Sequence, residues 1–174
     1  MSEHFGEMYQ SGDYMTAVME RTIDVPIEEV WQHLAEESRR VAWLAPGTID
    51  LFTGGRARLD FKDSYVVVDS TVSACEAPRL LEFSWSGPDD PARPIRFELS
   101  EEDGGCRIKL TVSIPNDEVV ARSCAGWEAH LTMLLAALHG APTKFPLERF
   151  NECRSYFEQE LARIMLTSVD VLKL

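Results

Sequence analysis

The spacing of apolar residues changes character along this chain, and each change marks a new element. Met15 to Asp24 alternates imperfectly and reads as a strand, closed off by Pro26. Ile27, Val30, Trp31 and Leu34 then fall on one helical face, with Glu28 and Glu29 in the first turn, where the helix dipole favours acids. A second short helix is expected over Glu36 to Trp43, ending before Pro46 and Gly47. From there the period drops to two. Ala57, Leu59 and Phe61 alternate with Arg56, Arg58 and Asp60. Val66, Val68, Val72 and Ala74 share a face with Ser70. Leu81, Phe83 and Trp85 alternate with Glu82 and Ser84, and Ile95, Phe97 and Leu99 with Arg96 and Glu98. The longest alternation is Cys106, Ile108, Leu110, Val112 and Ile114 against Arg107, Lys109, Thr111 and Ser113. Each run has the signature of an antiparallel strand, buried on one face and wet on the other. Turn chemistry separates them: Gly54 and Gly55, Lys62 to Ser64, Ala77 and Pro78, Gly87 to Pro91, and Glu102 to Gly105, the strongest hairpin signal.

After Ile114 the period returns to 3.6. Val120, Cys124, Trp127, Leu131, Leu134, Leu135 and Leu138 recur at three- and four-residue steps in a stretch rich in Ala and Leu. Asn116 or Asp117 is the expected N-cap, and Gly140 with Pro142 the stop. A Pro-interrupted connector leads to a second amphipathic helix from Leu147 to about Val169, with Leu147, Phe150, Phe157, Leu161 and Ile164 on one face and Pro146 at its start. Residues 1–13 are polar, carry Gly6 and Gly12, and are expected to form a loose lead-in or a short helix. An antiparallel sheet with one apolar face and one dominant helix must curl round that helix to bury both.

Composition narrows the function classes. The chain has 174 residues, enough for one domain with a sizeable core, and its 45% hydrophobic and 26% charged content is that of an ordinary globular protein. A net charge of −12 repels nucleic-acid backbones and anionic membrane surfaces, so neither is an expected partner. No signal peptide and no apolar run of spanning length is evident, and a cytoplasmic location is expected. Cys75, Cys106, Cys124 and Cys153 are widely spaced, arguing for buried thiols rather than a zinc or redox motif. Nucleophile-elbow, phosphate-loop, zinc-protease and dinucleotide fingerprints are absent, and no cofactor or metal is expected.

Three features carry candidate chemistry. His130 stands at the edge of the apolar stripe, three residues after Trp127, where a helical position points it either into a cavity as a proton donor or acceptor or at the backbone or solvent. Trp31, Trp43, Phe83, Trp85, Phe97 and Trp127 can form an aromatic wall, as core or as pocket lining. Ser70 is the polar residue on an inner strand face, serving as a ligand-facing hydroxyl, marking a bulge or bonding backbone. Arg58 with Asp60 and Arg96 with Glu98 read as solvated outer-face pairs. A phase slip would instead turn Arg58 into the cavity.

The segment from Arg21 to Leu34 resembles the first strand and helix of the START-like, helix-grip superfamily. Leu80 to Gly87, Arg96 to Ser113 and Ala125 to Leu138 resemble later strands and the closing helix of its branch named after the activator of the heat-shock protein 90 ATPase. The likeness spans Met15 to Gly140. It implies an α+β helix-grip fold: a curved antiparallel sheet of about seven strands around a long C-terminal helix, here with an extra C-terminal helix. The expected organisation is a lead-in over 1–14, a ligand-binding domain over 15–140 and a helical extension over 141–174. The superfamily uses the space between sheet and helix for apolar small molecules, and some members are cyclases or aromatases. The resemblance therefore implies binding of an apolar or amphipathic small molecule, with Trp43, Phe61, Val68, Ser70, Phe83, Trp85, Phe97, Trp127, His130 and Leu134 as candidate lining residues and none assigned to catalysis. A cyclase-like enzyme and a co-chaperone-like interaction module are the alternatives. The extra helix is a candidate surface for pairing with a second copy.

Overall fold

The computed structural model describes residues 5–61 and 65–171, so the turn expected at Lys62 to Ser64 lies outside the described residues. The strands are β1 (Glu7–Ser11), β2 (Tyr14–Ile23), β3 (Gly47–Ile49), β4 (Arg56–Phe61), β5 (Val66–Glu76), β6 (Leu80–Ser84), β7 (Pro94–Glu102) and β8 (Gly105–Pro115). The helices are α1 (Ile27–Ala35), α2 (Glu37–Arg40), α3 (Val120–Leu138) and α4 (Leu147–Val171). All neighbouring strands pair antiparallel in one unclosed sheet of order β1-β2-β8-β7-β6-β5-β4-β3.

The alternation fixes the sheet's two faces as expected. Cys106, Ile108, Leu110 and Val112 of β8 are fully buried, while the outward Arg96, Glu98 and Lys109 form a ladder of ion pairs. Arg58 stays outside on Asp69, so no phase slip occurs there. The slip comes later, between Val72 and Ala74, and it turns Cys75 rather than Ala74 to a partner opposite the buried Leu81. The β7–β8 hairpin closes through Asp103 (φ 47°) and Gly104 (φ 82°), a two-residue turn with both φ positive that suits an Asp-Gly pair.

Three expectations change at the edges of the sheet. Residues 7–11 form β1, paired along β2, instead of a loose lead-in or helix. Only Met8 of this edge strand is buried, so it carries no alternating signal. The three residues of β3 are equally silent, and together they raise the count to eight strands among the described residues. At the start of α3 the cap is Val119, with no side-chain cap bond. Asn116 bonds the β1–β2 hairpin instead, its amide reaching Asp13 O and its side chain Gly12 O. The far end follows expectation: Gly140 (φ 73°) donates to Ala137 O and Ala141 to Ala136 O, a Schellman stop.

The corner between α1 and α2 is organised by a buried cation. Arg40 Nη1 donates to the carbonyls of Leu34 and Ala35 at 3.0 Å each, and Nη2 to Gly47 O. It thereby satisfies the last carbonyls of α1 and ties them to β3. Helix α2 is shorter than expected because the chain turns after Arg40 to bury Trp43, whose Nε1 donates to His33 O at 2.8 Å.

Helix α3 packs its Trp127–Leu138 stripe on the sheet, and α4 packs on α3 and β1. The buried residues of α4 are Cys153 and Phe157, with Phe150, Leu161 and Ile164 partly covered. Leu147, expected on this face, is exposed. Between α3, α4 and β2 lies Glu128, with no exposed side-chain surface. Its Oε1 accepts from Arg21 Nη2 at 2.6 Å and from Arg149 Nε and Nη2 at 2.9 and 2.6 Å. Tyr156 Oη donates to Gly6 O, so α4 also holds the start of the described chain. The last turns of α4 leave Met165, Leu166 and Val169 in solvent.

Candidate functional site

On the edge of α3 away from Glu128, the turns at Arg122, Ser123, Gly126, Trp127 and His130 form one wall of a cleft of about 970 Å³. These positions share a face because they are three or four residues apart. Phe61 at the end of β4 and Trp85 just after β6 form the floor, and Phe145 and Phe150, from the connector and α4, form the opposite wall. The rings interlock: Trp85 meets Trp127 edge-on at 4.9 Å, Phe61 meets Trp85 at 5.4 Å, and His130 lies 5.9 Å from each of Phe61, Trp127 and Phe145. The T-shaped contacts, Trp85 with Trp127, Phe61 with Trp85 and His130 with Phe145, put positive ring edges on negative faces. Arg93 and Glu118 close one end with two bonds of 2.7 Å.

Of the ten residues expected to line a pocket, the fold brings Phe61, Trp85, Trp127 and His130 together at this cleft. Trp43 and Phe97 stand behind it, Phe97 against Trp127 at 6.4 Å and Trp43 against Phe97 at 6.0 Å. Val68, Phe83 and Leu134 are buried in the core and do not line it. Ser70 belongs to a separate depression beside Gly55 and Ser86, and its hydroxyl donates to Ser84 O at 2.7 Å. The space therefore opens at one end of the helix, since aromatic and branched side chains fill the middle of the sheet–helix interface. Phe145 and Phe150 were not expected here; an aromatic between Lys144 and Pro146 in a polar connector was the available signal.

His130 is the titratable group of this wall. Its Nδ1 lies 2.8 Å from Trp43 O, and a carbonyl can only accept, so Nδ1 carries the proton and Nε2 keeps its lone pair. Nε2 has no hydrogen-bond partner among the described residues. Burial lowers the imidazole's pKa below its usual value, and the Trp43 carbonyl offsets this only in part. The ring is thus a neutral acceptor at pH 7. A histidine depressed by folding contributes stability that is present above the unfolded pKa of about 6.5 and is lost as pH falls towards the folded value. Urea unfolding of wild type and His130→Gln between pH 7 and 5 should show the wild type losing more, with an extra slope of up to about 1.4 kcal/mol per pH unit. Equal slopes would remove the assignment. The charged groups sharing the cleft, Arg93, Glu118 and Arg122, remain in both proteins, so the difference isolates His130.

The other candidate groups are inert. Burial pushes the Cys124 thiol up to about 12 and raises Cys75, Cys106 and Cys153, so all four stay protonated at neutral pH. Among the described residues no cluster of three His, Cys, Asp or Glu could hold a metal, and no helix is long and apolar enough to cross a membrane.

A family model described as Activator of Hsp90 ATPase homolog 1-like protein matches residues 24–139, from the end of β2 to the end of α3. The chain belongs to this family. Within the START-like superfamily it shares its fold with CalU16 from Micromonospora echinospora, at 22% identity and a TM-score of 0.72 over 89% of this chain and 93% of that one. The protein encoded by gene BPP1335 from Bordetella parapertussis is 28% identical, with a TM-score of 0.66 over 91% and 93%. DynU16, a protein in the dynemicin biosynthetic locus, is 25% identical, with a TM-score of 0.66 over 76% of this chain and 49% of that one. No curated protein matches. The family match ends before α4, so Phe145, Phe150 and Arg149 lie outside the region that defines the family.

Proposed function

We propose that the cleft between α3, the β4 and β6 ends and the start of α4 binds an apolar or amphipathic small molecule. The observation that carries this reading is Gly126. It stands mid-helix beside Trp127, where glycine costs about 1 kcal/mol relative to alanine, yet a Cβ built there meets nothing within 4 Å. Packing does not require a glycine at this place; its effect is to keep the cleft wall flat. A molecule inserted there would bury its apolar body against Trp85 and Trp127 at about 25 cal/mol per Å², with His130 Nε2 free to accept one hydrogen bond. The likeness to DynU16, a protein in the dynemicin biosynthetic locus, supports a ligand drawn from small-molecule biosynthesis.

The test uses N-phenyl-1-naphthylamine, an uncharged dye that brightens when taken out of water. Wild type should bind it saturably and Gly126→Leu at least several-fold more weakly, because the added isobutyl group occupies part of the wall beside Trp127 where the dye's rings would lie. Thermal stability of Gly126→Leu should equal or exceed wild type, since the helix gains a better former. Unaltered dye binding by Gly126→Leu would overturn the reading. One observation favours a second: a neutral, unpartnered imidazole nitrogen facing an aromatic cleft is the group that would take a proton in a cyclase-like reaction.

A further inference from the structure

Cations are almost fully committed among the described residues. Its net charge is −12, and among the described residues every Arg and Lys side chain but two is held by a carboxylate or, for Arg40, by buried carbonyls. The two are Arg122 and Lys144. Both are exposed, but only Arg122 lines the cleft, from the first turn of α3; Lys144 precedes the lining residue Phe145 and is not itself part of the lining. The one carboxylate that lines the cleft, Glu118, is occupied by the two-pronged Arg93 pair. The lining thus carries one uncompensated positive charge within a strongly acidic protein.

We infer that the cleft selects an amphiphile with an anionic head group, bound with its head on Arg122 and its apolar body on Trp127 and Trp85. The inference rests on the cleft being a binding site, as proposed above. An anion approaching elsewhere meets the net negative field, whereas salt screens that field beyond roughly 8–10 Å and leaves the local guanidinium to decide. A cationic head would find no free carboxylate on this wall. The helix also sets a length. Arg122 and His130 are eight residues apart on one face, a separation of roughly 12 Å at the helical rise. A body of two or three fused or linked rings, or a chain of comparable length, reaches from the guanidinium to the imidazole Nε2.

Two dyes separate head from body. 8-Anilinonaphthalene-1-sulfonate and N-phenyl-1-naphthylamine share one skeleton and differ by the sulfonate. Arg122→Gln should weaken the sulfonate about three- to fivefold, the range of a solvent-exposed ion pair, and leave the uncharged dye within twofold. Rising salt should weaken the sulfonate in wild type more than in Arg122→Gln. If Arg122→Gln leaves the sulfonate within twofold, or weakens both dyes alike, anion selection is wrong while the cleft remains a site. If neither dye binds, or Gly126→Leu binds both as wild type does, the cleft itself is not the site and the inference falls with it.

Discussion

Glu128→Ala is expected to destabilise the protein by about 3 kcal/mol, a large share of the ~5–15 kcal/mol that holds a typical domain together. The carboxylate has no exposed surface and its Oε1 receives three bonds from two guanidiniums, Arg21 of β2 and Arg149 of α4. Deleting it leaves both cations in place with their main acceptor gone. The side chains of Arg21 and Arg149 keep 18% and 22% of their surface in water, so some solvation is recovered and the loss belongs at the lower end of the range for broken buried pairs. Arg149→Met should cost less, because Arg21 continues to neutralise Glu128. Urea unfolding, read by circular dichroism and tryptophan fluorescence, measures both. A loss below about 1 kcal/mol for Glu128→Ala would mean that desolvation had already cancelled the attraction.

The second large effect is expected at Phe157. Its ring is fully buried between α4 and the core, so truncation to alanine should cost about 3–5 kcal/mol through lost transfer energy and the cavity left behind. The shape of the unfolding curve carries as much information as the midpoint. Because α4 contributes Arg149 to the Glu128 site and Tyr156 to Gly6, it should melt together with the sheet, with both optical probes coincident in wild type and variant. A separate early transition confined to helical signal would show α4 to be an appendage. The result also bears on the cleft, since Phe145 and Phe150 are positioned by the same helix.

Much of this was legible along the chain. Period-two alternation placed β4, β6, β7 and β8 with their correct faces, because a strand half in water exposes every second side chain. In β5 it held only from Val68 to Val72, since Val66, expected inside, is exposed and the register slips before Ala74. The Asp103-Gly104 turn was legible because few residues accept two successive positive φ angles. The Trp127 stripe was legible because a helix against a sheet repeats its burial every 3.6 residues. Where the signal failed, the residue's surroundings came from distant segments. β1 owes its conformation to pairing with β2, its side chains being mostly wet. Glu128 reads as a polar position on the helix, and only Arg21 and Arg149, arriving from β2 and α4, make its burial tolerable.

The sequence by itself determined an α+β chain in which a curved antiparallel sheet grips a long helix, and it named Phe61, Trp85, Trp127 and His130 among the cleft-lining candidates. Tertiary structure decided which candidates meet, that Ser70 spends its hydroxyl on Ser84 O, and that Arg122, without a carboxylate partner among the described residues, stands on the cleft wall. The physical reason is range. Periodicity reports which face of an element is dry, a local property. A cleft exists only where several dry faces fail to meet, and that depends on how elements far apart in the chain come to rest against one another.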